Sequence, residues 1–328
     1  MTPAPKTLED LLAEFDAALV WLSSLNVQTD NTRFSRYRAQ IARAITEEAR
    51  GSFQHQRTDA FLNALMEAGD VIEIATLDPR AFLSNAHALR KLRRLSKGAD
   101  ETPTTGFDPA RDSGFEFATA AMLNSHGVFG GFGDYGDVLQ KPGWHPWECK
   151  RLGSLEAIPS RVQEARDQLS EAQARGVSSG IIALDLTRPL RNDHGVLNAK
   201  TDSDLLAATQ KFLAEIIPKY FFENRLVDDR TRPRPSALGV FLRFVSIGRL
   251  GNSESVRSST TWQMVPLHDP LSVENALFRE VAEATGPIID GDFGALLEAE
   301  DCGFRHDPLT DKSLSPLAFA ITCRLRQL

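Results

Sequence analysis

The spacing of apolar residues divides the chain into a helical first part and a strand-bearing second part. Leu8, Leu11, Leu12, Phe15, Leu19 and Leu22 recur at helical spacing and make one apolar face. Thr7 and Asp10 ahead of them predict a capping box in which Asp replaces the usual Glu or Gln. Residues 33–50 predict a second helix with Gly51 as its stop, and 58 to about 68 and 79–95 predict two more. Residues 98–112 are polar and rich in Thr, Asp and Pro, the pattern of a linker or exposed loop. The expected division is a helical N-terminal region (1–98), a linker (99–111), a sheet-bearing domain (112–270), and a C-terminal helix and tail (271–328).

Beyond the linker, a helix is expected to start near Asp112 or Ser113, with Glu116 the lone charge in the run from Phe115 to Leu123. Asp137-Val138-Leu139 and residues 144–152 read as strands, and 159–175 as a helix stopped by Gly176. Gly180-Ile181-Ile182-Ala183-Leu184-Asp185-Leu186 reads as a strand buried on both faces. Further on, 203–217 and 272–285 predict helices, and 237–247 and 260–267 predict strands. Gly131, Gly133 and Gly136 match the dinucleotide pattern G-x-G-x-x-G, but a helix precedes them and a strand follows, which is the wrong setting.

Composition changes this picture little. Of 328 residues, 42% are hydrophobic and 25% charged, as in an ordinary globular protein. A net charge of -7 argues against coating nucleic acid through bulk charge, yet leaves room for a local basic groove. Cys149, Cys302 and Cys323 form neither a disulfide framework nor a zinc pattern. There is no basic start with an apolar run, and no uncharged apolar stretch long enough to span a bilayer. A cytoplasmic location without membrane attachment is the expectation.

The chemistry concentrates in Trp147-Glu148-Cys149-Lys150-Arg151. Alternation along a strand puts Glu148 and Lys150 on one face and Trp147, Cys149 and Arg151 on the other. Charges on a mostly apolar strand need a partner, a metal or water. With Asp137 on a neighbouring strand, two carboxylates and a lysine converge, a set suited to a hard divalent cation and an activated water. Other candidates take plainer readings. Cys149 is expected to be a small buried hydrophobe, Trp147 to pack on the far face, and His145 to be a partly exposed strand or turn residue. Arg90, Lys91, Arg93, Arg94 and Lys97 read as a solvated helix end. The Cys302-to-Asp307 segment reads as a loop.

The order helix, strand, strand, strand, helix, strand over residues 112–187, with an acid on the second strand and Glu-x-Lys on the third, resembles the PD-(D/E)XK nuclease superfamily. The Glu148-Cys149-Lys150-Arg151 run looks like those of its bacterial nuclease-like members. The resemblance implies an α/β fold with a restriction-endonuclease-like mixed sheet flanked by helices, here preceded by the helical N-terminal region. It implies that Asp137 and Glu148 bind Mg²⁺ or Mn²⁺, with the Cys149 carbonyl as a further candidate ligand, and that Lys150 is the catalytic lysine. Glu116 matches the acid on the first core helix, as a ligand of a second ion or of a metal-bound water. Gln168 matches the polar residue on the second core helix. One departure is Gly136, which stands where the family carries a proline and leaves Asp134 as a rival to Asp137; the strand that follows Asp137 directly favours Asp137. The implied function is metal-dependent cleavage of nucleic acid, DNA foremost, with Arg151, Arg232 and Arg234 as candidates for contacting phosphates. The alternative is a non-catalytic module of the same fold that binds nucleic acid or a protein. The N-terminal helices are candidates for holding a protein partner or a second copy of the chain.

Overall fold

The first helix begins where its sequence predicts. Thr7 Oγ1 accepts from Asp10 N–H at 3.1 Å, and the Asp10 carboxylate accepts from Thr7 N–H at 3.0 Å. The structure, a computed structural model, describes residues 7–52, 54–55, 58–98, 108–134, 136–194, 197–199, 204, 207–208, 211–212, 215–222, 236–250, 256–268, 273–285 and 326–327. Arg232 and Arg234, the greater part of the expected linker (99–107) and the Cys302-to-Asp307 segment lie outside the described residues.

The N-terminal region folds as α1 (Leu8–Ser24), α2 (Arg33–Ala49), α3 (Asp59–Ile74), α4 (Pro79–Leu83) and α5 (Ala86–Leu92). The single helix expected over 79–95 is two. Asn85 interrupts it, because its side chain accepts from the N–H groups of His87 and Ala88 and caps α5. The next helix, α6 (Pro109–Ser125), starts earlier than expected. Asp108 caps it and Pro109 opens it, a stronger start signal than Asp112 or Ser113. Residues 108–111, counted with the linker, are thus the cap and first turn of α6.

The sheet contains β1 (Phe129–Gly131), β2 (Val138–Gln140), β3 (His145–Arg151), β4 (Gly180–Asp185), β5 (Leu197–Ala199), β6 (Ala237–Leu250), β7 (Val256–Pro266) and β8 (Arg326–Gln327). Its order is β1-β2-β3-β4-β6-β7-β8, with β5 also pairing β6. β1, β2 and β3 are antiparallel in turn, β3, β4 and β6 run parallel, and β7 is antiparallel to β6. Each parallel pair needs a crossover connection, and α7 (Ile158–Ala174) supplies the one from β3 to β4. α8 (Thr187–His194) follows β4, and α9 (Val273–Ala284) follows β7.

Helices cover both faces of this mixed α/β sheet. On one face Trp147, Ile181, Ala183 and Phe241 share a core with α6, α9 and the N-terminal helices. On the other, Ile182, Leu184, Val240 and Leu242 pack on Val162, Ala165 and Leu169 of α7. That β4 is buried along its whole length follows from having both layers. The N-terminal helices are therefore continuous with the core of the sheet. Among the described residues no helix is long and apolar enough to cross a membrane.

Ion pairs join the same parts. Glu67 on α3 lies between Arg33 Nη2 (3.3 Å) and Arg111 Nε of α6 (2.7 Å). Arg111 also holds its own cap residue, Asp108, at 2.5 Å. Arg243 on β6 pairs with Asp70 of α3 and, at 3.7 Å, with Asp185. Burial pushes the Glu67 carboxyl up, but Arg33 and Arg111 outweigh it and hold it at about 2.

Candidate active site

The site forms where β2 parts from β3. β2 pairs β3 only from Gln140↔His145 to Val138↔Trp147. Asp137 N–H still donates to the Trp147 carbonyl at 2.9 Å, completing that rung. At the next rung a carboxylate takes the place of a strand carbonyl, since Cys149 N–H donates to Asp137 Oδ2 at 3.0 Å. The chain before Asp137 turns away at Gly136, with φ of 88°. A Cβ there would lie 2.7 Å from Pro146 Cβ. Proline, fixed near a φ of about −65°, has no place at this position.

The parting leaves a pocket of about 200 Å³ whose wall includes Lys91, Glu116, Asp137, Glu148 and Gln168. Glu116 comes from α6, with its carboxyl end mostly enclosed, and Gln168 from α7 across the sheet edge. Lys150 stands beside this wall. Its Nζ donates to Glu148 Oε1 at 3.0 Å and Gln168 Oε1 at 2.5 Å, and lies 3.2 Å from Glu164 Oε1. Three acceptors thus meet the three protons of the ammonium. Glu116, Asp137, Glu148, Lys150 and Gln168, the five residues singled out from sequence, come together. Asp134 lies on the exposed rim of the pocket, whereas Asp137 is the acid bonded to β3.

The carboxylates outnumber the cations. Burial first, then the charge of Asp137, pushes Glu116 up to about 8 against the pull of Lys91. Burial and Asp137 likewise push Glu148 up to about 7 against Lys150. Burial lowers the Lys150 pKa, but Glu148 and Glu164 outweigh it, so the net direction is upward. Its ammonium stays charged through neutral pH.

Two contributors were missed in the sequence. Lys91 Nζ donates to Glu116 Oε2 at 2.6 Å and to Asp137 Oδ1 at 3.1 Å. By sequence it belongs to a basic run that reads as solvated, yet it follows Ala88 by three residues and precedes Leu92, both buried, while Arg90, Arg93 and Arg94 are exposed. Its place on the inward face of α5 was the available signal. Glu164 precedes Gln168 by four residues, one helical turn on the same face of α7.

Other expectations need correction. Arg151 was expected to reach nucleic acid. Its Nε instead lies 3.2 Å from Asp185 Oδ2, its Nη1 donates to the Arg111 carbonyl at 3.3 Å, and the side chain is only 12% exposed. The cause is the parallel register, which puts Arg151 directly opposite Asp185. His145 is buried, with Nδ1 2.9 Å from the Ser179 carbonyl oxygen. Trp147 does pack on the far face, edge-on to Phe241, and donates to Gln140 Oε1 at 2.8 Å. Cys149 is half-buried where a fully buried residue is expected, and its enclosure and the charge of Asp137 drive its thiol pKa well up, away from nucleophilic use.

Among the described residues no three His, Cys, Asp or Glu side chains already form a compact metal-holding group. The donor chemistry nevertheless suits a hard cation, because Glu116, Asp137 and Glu148 offer oxygens alone. A positive group, the Lys91 ammonium, already bridges two of them. No protein-family model, no curated protein and no solved structure matches this chain, so the assignment of the site stands on its own geometry.

Proposed function

We propose that the protein is a metal-dependent phosphodiesterase that cleaves nucleic acid, DNA foremost, at the notch where β2 leaves β3. The observation that carries this reading is the convergence of Asp137, Glu148 and Lys150 with Glu116 and Gln168 around one pocket edge. The sheet supports it. Helix α6, strands β1 to β3, helix α7 and parallel β4 follow one another as in a restriction-endonuclease-like core. Glu116, Asp137 and Glu148, with the Cys149 carbonyl, would hold Mg²⁺ or Mn²⁺, which when bound supplies a Lewis acid for the phosphate and lowers the pKa of water.

The protein's own groups do the rest. Lys150 keeps its proton, so its positive charge offsets charge growing on the phosphate oxygens, and it orients the attacking water once it exchanges Glu164, the longest of its three contacts, for that water. Glu148 and Gln168 hold its Nζ in position. Where a second ion binds, Glu116 would hold it; otherwise it would order water beside the first. Arg90, Arg93, Arg94 and Lys97, exposed on the segment that carries Lys91, offer cations for the backbone phosphates in place of Arg151.

The test compares wild type with Lys150→Met on single-stranded, double-stranded and nicked DNA and on RNA, in Mg²⁺ or Mn²⁺. Lys150→Met should keep its fold and lose cleavage by on the order of 10²–10³-fold, the effect of removing one preorganised electrostatic group. Equal cleavage by the two proteins overturns the assignment. One observation favours a non-catalytic module instead: Glu116 and Asp137 are already engaged by Lys91. That reading gains if nucleic acid binds but is not cut in either metal.

A further inference from the structure

We infer that Lys91 is a tethered cation that occupies the Glu116–Asp137 pair and competes with a divalent metal ion for it. The inference rests on the reading of the notch as a metal site and adds a regulator to it, contributed by the N-terminal helices.

The oxygens at the notch are unevenly committed. Asp137 Oδ2 is taken by Cys149 N–H, so Oδ1 is the oxygen that faces away from that bond, and it is the one Lys91 holds. Glu148 Oε1 is taken by Lys150. Glu116 Oε2 makes the shorter of the two Lys91 contacts. A divalent cation drawing on Asp137 and Glu116 meets an ammonium on the same oxygens, and two positive charges at contact distance repel strongly at a partly enclosed site. Lys91 must withdraw for the metal to enter.

The placement of Lys91 is built into the fold. Ala88 and Leu92 anchor α5 in the core on the same face. Asn85 both caps α5 and donates from Nδ2 to the Phe132 carbonyl at 3.1 Å, tying the helix start to the glycine-rich segment at the pocket. The side chain itself is 24% exposed, on a four-carbon stem that can swing outward without moving the helix. A ligand that draws this ammonium away, such as a polyanionic nucleic-acid backbone, would open the carboxylates to metal. Substrate and metal binding are thereby coupled.

The experiment is calorimetric titration of MnCl₂ into metal-free wild type, Lys91→Met, Lys91→Gln and Lys91→Arg. Lys91→Met and Lys91→Gln should bind Mn²⁺ at least about ten-fold more tightly than wild type, the factor matching one charge-assisted hydrogen bond of ordinary strength. Lys91→Arg, which keeps the charge, should show no such gain. If both neutral variants bind Mn²⁺ no better than wild type, Lys91 only organises the acids and the inference is overturned while the metal site stands. If no protein, wild type included, binds Mn²⁺, the metal reading falls and this inference with it. Should the neutral variants fail to fold, the Lys91 ammonium resonance of wild type decides. It should move on saturation with Mg²⁺, and a resonance that stays put under saturation overturns the inference.

Discussion

Among the described residues, two clusters of enclosed charge are built on opposite rules. In the first, Glu67, Asp70, Asp108 and Asp185 are paired with Arg33, Arg111, Arg151 and Arg243. Guanidiniums there match carboxylates one for one, and Glu67 is held at about 2. Asp70 goes the other way, to about 6, because burial outweighs Arg243 there. In the second cluster, among the described residues, Glu116, Asp137 and Glu148 pair with Lys91 and Lys150, and two of the acids are pushed up to about 8 and 7. The first cluster joins α2, α3, α6, β3, β4 and β6. The second lines the pocket at the notch. A balanced cluster specifies how parts fit together; an excess of carboxylates around a cavity is a demand for a cation.

The sharpest way to break this contrast is to remove one group from each cluster. Arg111→Met leaves Glu67 with Arg33 as its ion-pair partner and Asp108 with its cap hydrogen bonds, and should destabilise the protein by about 3–5 kcal/mol, as breaking a buried pair does. Glu116→Gln should do the reverse in metal-free protein near pH 8, raising the melting temperature because it relieves an acid already in excess. Denaturant and thermal melts of the two variants check both signs. If both variants lose stability equally, the clusters do not differ in kind.

Titration sharpens the same contrast. Glu116 and Glu148 have folded pKa values above the ordinary 4.5, so the folded state holds their protons more tightly. Their contribution to stability is full below about 4.5 and is lost as pH rises through 7 to 8. Glu67, depressed to about 2, contributes above the ordinary 4.5 and loses that contribution as pH falls towards 2. Metal-free wild type should therefore melt lower at pH 8 than at pH 6, and Glu116→Gln should flatten that slope. A slope unchanged by the substitution contradicts the origin given for it.

The smallest effect is expected from cutting the chain between the two halves. Limited proteolysis should nick the polar stretch 99–106, but the fragments should remain together in gel filtration, because α3 and α6 share a core and the Glu67–Arg111 pair. Fragments that separate would show that the N-terminal helices form a unit of their own.

Much of the site was legible because strand alternation is strict. Glu148 and Lys150 two apart had to share a face, and the acid before Val138 had to sit at the start of the adjoining strand. Helix and strand limits around β2, β3, α7 and β4 fell close to those expected, because Gly, Pro and the apolar runs mark them. What stayed hidden depends on tertiary neighbours. Arg151 looked free for phosphate, and only the parallel pairing with β4 reveals Asp185 opposite it. Lys91 looked solvated because a cation in a basic run seldom turns inward; the break at Asn85 that aims it is a capping event inside an otherwise helical pattern. The division at residue 98 followed a real change in composition, but polarity of a connecting stretch says nothing about whether the parts on either side share a core.

The central claim, that the notch is a cation site, is tested most directly by melting the protein with and without millimolar Mn²⁺. Wild type should rise in melting temperature through binding linkage, as any ligand held by the folded state alone produces. Glu148→Ala should lose that rise while still melting cooperatively. Wild-type melts that coincide with and without Mn²⁺ would contradict the account.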